Sequence, residues 1–171
     1  MVSIKNKSFS VTAEVVVPDS GAEGVIIAQG GRFGGWALYA KSGRAKFVYN
    51  VLGIHEFATE ADTPIPAGTH QVRMEFAYDG GGLAKGGDVT LYFDGNAVGT
   101  GRVAATQPMI FSADETTDIG NETGTTVTPD YTAQASHFTG KINWVQIDLG
   151  TDDNDHFIDP DERLRVAMAR Q

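Results

Sequence analysis

The sequence predicts an all-β protein: two antiparallel sheets packed face to face as a sandwich or jelly roll. Three observations carry that prediction. Apolar and polar residues alternate in run after run, which puts one face of each strand in a core and the other outside. The runs are short and are separated by Gly, Pro and Asp, residues suited to reversing the chain. Glycine is abundant, at 21 of 171 residues, yet shows no repeat period.

The elements follow in order. From Ser8 to Val17, Phe9, Val11, Ala13, Val15 and Val17 are apolar while Ser10, Thr12 and Glu14 face the other way; Pro18-Asp19 and Gly21 end the strand. Gly24 to Gln29 is a β-branched run able to be buried on both faces. Trp36–Ala40 and Lys46–Leu52 form a pair around a Ser42-Gly43 turn. His70 to Tyr78 alternates cleanly, with Val72, Met74, Phe76 and Tyr78 on one face. The segment VTLYFDGNAVGTGRV, Val89 to Val103, alternates on both sides of Asp94-Gly95. An Asp-Gly step between alternating runs is a strong hairpin signal, because a two-residue reversal needs positive φ. Near the end, Ile142, Val145, Ile147 and Leu149 share a face only if a bulge falls between Ile142 and Val145.

One helix is expected, at about residues 160–169. Asp159 suits its N-cap, Pro160 the first helical position, and Glu162 the third place after the cap. Leu164, Ala167 and Met168 then share a face that would dock on the sandwich or on a partner.

Composition sets the outer limits. The chain reads as a single domain over residues 1–171, with 41% hydrophobic and 20% charged residues, as in globular proteins. A formal charge of −9 argues against nucleic acid and anionic membrane surfaces as partners. The absence of cysteine removes disulfides, zinc knuckles and thiol nucleophiles. No apolar run approaches the ~18 residues of a membrane span. MVSIKNKSFS lacks the apolar stretch of a signal peptide, so the expectation is a soluble, cytoplasmic chain, unless it was cut from a longer protein.

Catalytic signatures are missing. No serine sits in a G-x-S-x-G frame. DGGGLAKGGD, Asp79 to Asp88, lacks phosphate-loop spacing and joins strand to strand, so no helix N-terminus is there to receive an anion. QGGRFGG, Gln29 to Gly35, also misses the dinucleotide spacing. Its glycines would let backbone approach a ligand, with Arg32 free to grip an anion; the plainer account is a tight connection with a solvated arginine. Two acidic clusters offer oxygen ligands for calcium: Asp114-Glu115 with Asp118 and Glu122, and Asp152, Asp153, Asp155 and Asp159. Solvated loops that avoid edge pairing are the plainer account of both. Trp36, Tyr39, Tyr49 and Tyr92 lie on strands, where outward-facing members would make a stacking surface for sugars and inward-facing members would fill the core. Trp36 is the ligand candidate among them.

Four longer stretches carry a resemblance. AEGVIIAQGGRFGGWALY (Ala22–Tyr39), FAYDGGGLAKGGDVTLYFDG (Phe76–Gly95), MIFSADETTDIG (Met109–Gly120) and DHFIDPDERLRVAMARQ (Asp155–Gln171) together resemble the C-terminal region of bacterial arylsulfatases. The resemblance runs from Phe9 onward. LYFDG and FTGKINWVQI are also similar to elements of concanavalin-like and laminin-G-like sandwiches. It implies a non-catalytic jelly-roll domain packed against a sulfatase catalytic domain, its partner, which would hydrolyse sulfate esters with a formylglycine nucleophile and a calcium ion. The family's C/S-x-P-x-R nucleophile motif occurs nowhere here, so none of that machinery transfers. At Asn121-Glu122 and Thr126 the chain departs from the basic and proline residues usual in that stretch. Two other expectations stand beside this one: a free-standing carbohydrate-binding module for a glycan or sulfated small molecule, and a homo-oligomerisation domain.

Overall fold

The computed structural model describes residues 3–108, 111, 116–150 and 156–158. Ten strands occur among them: β1 (Phe9–Val17), β2 (Gly24–Gly31), β3 (Gly34–Lys41), β4 (Arg44–Val51), β5 (His55–Pro64), β6 (Gly68–Tyr78), β7 (Gly87–Phe93), β8 (Asn96–Val103), β9 (Thr117–Ile119) and β10 (Lys141–Leu149). They form two five-stranded sheets of order β10-β1-β6-β7-β8 and β5-β4-β3-β2-β9, with every pairing antiparallel. The protein is a two-sheet antiparallel jelly-roll sandwich. The helix expected at about 160–169 lies outside the described residues.

The core follows the alternation. Val11, Ala13, Val15, Val72, Met74, Val89 and Leu91 of the first sheet meet Ile27, Trp36, Leu38, Phe47 and Tyr49 of the second. Aromatic pairs cross the interface: Phe9 lies 5.6 Å from Trp36, and Tyr49 stacks on Phe76 at 6.5 Å. Burying each such side chain is worth about 1.5–3 kcal/mol, so this layer dominates the stability of the sandwich.

Local chemistry sets the turns. Asp94 (φ 49°) and Gly95 (φ 83°) close the β7–β8 hairpin, and Ser42 (φ 52°) and Gly43 (φ 78°) close β3–β4, each with both central residues at positive φ as a type I′ turn requires. In β10 the required bulge is present: Glu14 faces Trp144 and Val15 faces Ile142, which leaves Asn143 unpaired. That single extra residue restores Ile142, Val145 and Ile147 to the core side.

After β10 the chain returns to the outer face of the first sheet. Ile158 exchanges two hydrogen bonds with the Gln71 side-chain amide, at 2.6 and 2.9 Å. His156 stacks on Tyr92 at 4.3 Å and reaches Glu75 Oε1 at 2.6 Å. Beneath it Arg73, fully buried, donates to Thr12 Oγ1 and Glu75 Oε1 at 2.8 and 2.9 Å, so this strongly polar strip is internally satisfied at its charged member. Among the described residues no helix is long and apolar enough to cross a membrane.

Candidate functional site

The outer face of the second sheet is covered by a long loop. Gly120 N–H donates to Ile26 O at 3.0 Å and Val25 N–H to Ser136 O at 2.7 Å, so the loop between them is pinned along β2 at both ends. Its Val127 and Tyr131 then bury Val25, Ala28, Ala37, Tyr39 and Val48, the outward-facing members of β2, β3 and β4. A second, smaller hydrophobic layer results.

Polar contacts lock this cover down. Asp130 accepts hydrogen bonds from the Tyr39 phenol and from Lys46 Nζ, the latter at 2.7 Å, and its backbone oxygen takes Lys41 Nζ at 2.6 Å. Burial alone would raise the Asp130 carboxyl, but the Lys46 and Tyr39 hydrogen bonds outweigh it and hold the group below its ordinary range. Burial, reinforced by Asp130 beside Tyr39 and by Glu122 beside Tyr131, pushes both phenols well above theirs. Both phenols therefore remain protonated donors.

Between the loop and the β4–β5 side of the sheet lies a cleft of about 630 Å³. Arg32, Asn50 and Glu56 line it from the sheet, and Thr125, Thr126 and Thr128 from the loop. Asn50 organises its floor: Nδ2 donates to Val127 O at 2.7 Å and Arg32 O at 3.1 Å, while Oδ1 accepts Gly53 N–H at 2.8 Å. Arg32 N–H donates to Thr125 Oγ1 at 3.1 Å, which ties the β2–β3 turn to the loop. Thr128 Oγ1 donates to Glu56 Oε2 at 3.2 Å. Burial raises the Glu56 carboxyl, opposed by that hydroxyl. The Arg32 side chain is exposed and makes no ion pair among the described residues. Chemically, the cleft presents one cation, one carboxylate and a set of hydroxyls, an assembly suited to a polyhydroxylated ligand carrying a negative group.

The structure distributes the expected site residues unevenly. Arg32 stands on the cleft, at the tip of the β2–β3 hairpin. Trp36 does not line it: its side chain is wholly buried between the sheets, and Nε1 donates to Gln29 Oε1 at 3.0 Å. A sugar could stack on that ring only if the core opened, so Trp36 is corrected from ligand candidate to core residue. Tyr39, Tyr49 and Tyr92 are buried as well. Asp118 Oδ2 is engaged by its own turn, accepting Thr123 N–H at 3.0 Å and Thr123 Oγ1 at 3.2 Å. Glu122 is buried beneath the loop, its carboxylate taken up by the Tyr131 hydroxyl and the Val127 N–H. Asp114, Asp152, Asp153 and Asp155 lie outside the described residues. Among the described residues no group of three His, Cys, Asp or Glu could hold a metal ion.

Asn50, Glu56 and the threonines were not singled out by sequence. One signal was available: Asn50 interrupts the apolar run Phe47–Val51, and an amide in a buried strand needs partners from elsewhere.

Fold and site together define a jelly-roll sandwich with a loop-roofed outer sheet and a polar cleft at one end of that roof. No protein-family model and no curated protein matches the chain. Among solved structures, the native heptameric SAP-like pentraxin from Limulus polyphemus is similar, with a TM-score of 0.46 and 14% identity over 86% of this chain. The chain spans 66% of the length of that pentraxin, just under two thirds.

Proposed function

We propose that this chain is a non-catalytic binding domain that accompanies an arylsulfatase-like sulfate-ester hydrolase, with the Arg32 cleft receiving part of the substrate. The observation that carries the reading is Arg32 itself. It lies in the stretch whose sequence resembles the arylsulfatase C-terminal region, and it stands on a cleft of about 630 Å³ with threonine hydroxyls and the Glu56 carboxylate. The lack of a C/S-x-P-x-R motif supports placing the chemistry in a separate catalytic domain.

Calorimetric titration of the purified chain with galactose 6-sulfate tests this. Sulfated sugar should bind and unsulfated galactose should not. Arg32→Ala should weaken binding by roughly 10- to 100-fold, the loss of one charge-assisted hydrogen bond, with an unchanged melting temperature. Turnover of p-nitrophenyl sulfate by the chain alone would contradict the non-catalytic assignment. Equal affinity for galactose and its sulfate would instead favour the free-standing sugar-binding module, a reading supported by the hydroxyl lining from Thr125, Thr126 and Thr128.

A further inference from the structure

Arg32 and Glu56 carry opposite charges on the walls of one cleft, yet they do not pair. Both side chains are exposed, and no ion pair among the described residues joins them. Asn50 stands between them. It faces Glu56 directly across the β4–β5 pairing, and its Nδ2 holds Arg32 O at 3.1 Å. Asn50 is only 2% exposed and is also bonded to Val127 O and Gly53 N–H, so this spacer is fixed.

The lysines under the roof do not neutralise Glu56 either. Lys46 Nζ lies 2.7 Å from Asp130 Oδ2, and Lys41 Nζ lies 3.7 Å from Asp130 Oδ1. Glu56 keeps a hydroxyl instead: Thr128 Oγ1 donates to Oε2 while accepting Asp130 N–H at 3.3 Å, which sets its orientation from both sides. Oε1 takes no hydrogen bond among the described residues. An ionised carboxylate only accepts, so this open oxygen calls for a donor from the ligand.

We infer that Glu56 is the specificity-determining residue of the cleft. It admits a sugar with one anionic group, whose hydroxyls donate to Oε1, and it turns away a sugar carrying a second anionic group. The inference rests on the function proposed above and narrows its ligand class to monosulfated, otherwise neutral sugars. Arg32 cannot make that distinction, because a cation favours every added sulfate, and the threonine hydroxyls can donate to either ligand.

Acid should relax the selection. Burial raises the Glu56 carboxyl, the Thr128 hydroxyl opposes that rise, Asp130 adds to it and Lys46 subtracts from it. Tyr39, whose phenol feels the Glu56 charge, stays protonated throughout, and Asp130 is held below its ordinary range, so Glu56 takes up its proton first. Protonated Glu56 has no charge to repel a second sulfate and gains an O–H to donate to it.

Calorimetric titrations of the whole chain with galactose 6-sulfate and galactose 2,6-disulfate test this. Both sulfates lie on one ring, so whichever of them Arg32 takes, the other stays in the cleft. The wild-type chain should prefer the monosulfate by roughly 3- to 10-fold, the scale of one like-charge repulsion near a protein surface. Glu56→Gln keeps an acceptor for Thr128; it should erase the preference by gaining affinity for the disulfate, with an unchanged melting temperature. Glu60→Gln, the same charge change on the same strand but off the cleft, should leave the preference intact. The wild-type preference should also fade as pH falls, whereas Glu56→Gln should show no such dependence.

A wild-type chain without the preference, or a preference that survives both Glu56→Gln and acid, would overturn the role of Glu56 and leave the proposed function standing. Equal loss of both ligands in Glu56→Gln would do the same, since it would make Glu56 a shaper of the cleft alone. A wild-type chain that binds galactose 6-sulfate no better than galactose would overturn the proposed function, and the inference with it.

Discussion

Tyr131 donates a 2.6 Å hydrogen bond to Glu122 Oε2, and the other oxygen of that carboxylate accepts the backbone N–H of Val127 at 2.9 Å. Glu122 is only 2% exposed, so a single buried carboxylate fixes both residues that roof the outer sheet. The cleft's shape depends on that bond.

Glu122→Ala should therefore cost about 2–3 kcal/mol, because the Val127 N–H and the Tyr131 hydroxyl both lose their acceptor. In a chain of this size the melting temperature should fall by roughly 5–10 °C, as followed by circular dichroism. Burial raises the Glu122 carboxyl above its ordinary 4.5, against the two hydrogen bonds that lower it. The folded protein thus holds this proton more tightly than the unfolded chain. Its contribution to stability is greatest below the unfolded value and declines as pH rises through the folded one. Glu122→Gln should remove that decline.

Asp130 should show the opposite sign. Its carboxyl is held below the ordinary 3.8 by Lys46 and Tyr39, although burial opposes them. Stability from this group is present above the unfolded value and is lost as pH falls through the depressed folded one. Asp130→Ala orphans the buried Tyr39 hydroxyl and should cost about 1–3 kcal/mol at neutral pH, with the deficit shrinking in acid. Hydrogen exchange should quicken at Val127 and Tyr131; unchanged protection there would show that Asp130 does not hold the roof.

Much of the scaffold was legible because its signals are local. The Asp94-Gly95 turn needs only two residues, and the bulge at Asn143 shows as a slip in period-two alternation. β5 was not legible. In HEFATEADTP only Phe57, Thr59 and Ala61 face inward, and an edge strand needs little apolar surface. The aromatic surface failed on parity: Trp36 and Tyr39 are an odd number of residues apart and point to opposite faces of β3. The cleft was legible only at Arg32. Its other walls come together over long separations, with Asn50 and Val127 lying 77 residues apart, and nothing local encodes that meeting.

The glycines of the β2–β3 turn are a structural demand that mutation can test. Gly34 has φ 143°, and a Cβ there would sit 2.1 Å from Gln107 Oε1, the atom that accepts Leu52 N–H. Gly34→Ala should combine backbone strain with displacement of Gln107, for roughly 2–4 kcal/mol. Gly80→Ala, where a Cβ would meet nothing within 4 Å, carries only the conformational part and should cost less. Equal losses in urea denaturation would refute the role given to Gln107.

The β7–β8 turn should confer a pH response near neutrality. Asp94 Oδ1 accepts Gln71 N–H at 2.8 Å, while Oδ2 lies 2.6 Å from His70 Nδ1. His70 Nε2 faces Ala67 O at 2.9 Å. Both ring nitrogens confront acceptors, and only the doubly protonated imidazolium can donate to both. Burial alone would lower the His70 pKa, but the Asp94 and Ala67 hydrogen bonds prevail and raise it above 6.5. A raised histidine contributes stability below its unfolded value and loses it as pH climbs through the folded one. Stability should therefore drop by no more than about 1 kcal/mol as pH rises from the unfolded value through the raised folded one, the modest scale of a part-exposed ion pair. His70→Asn should abolish that component and leave the slopes from Glu122 and Asp130 intact. An identical pH profile in the variant would remove His70 as its origin.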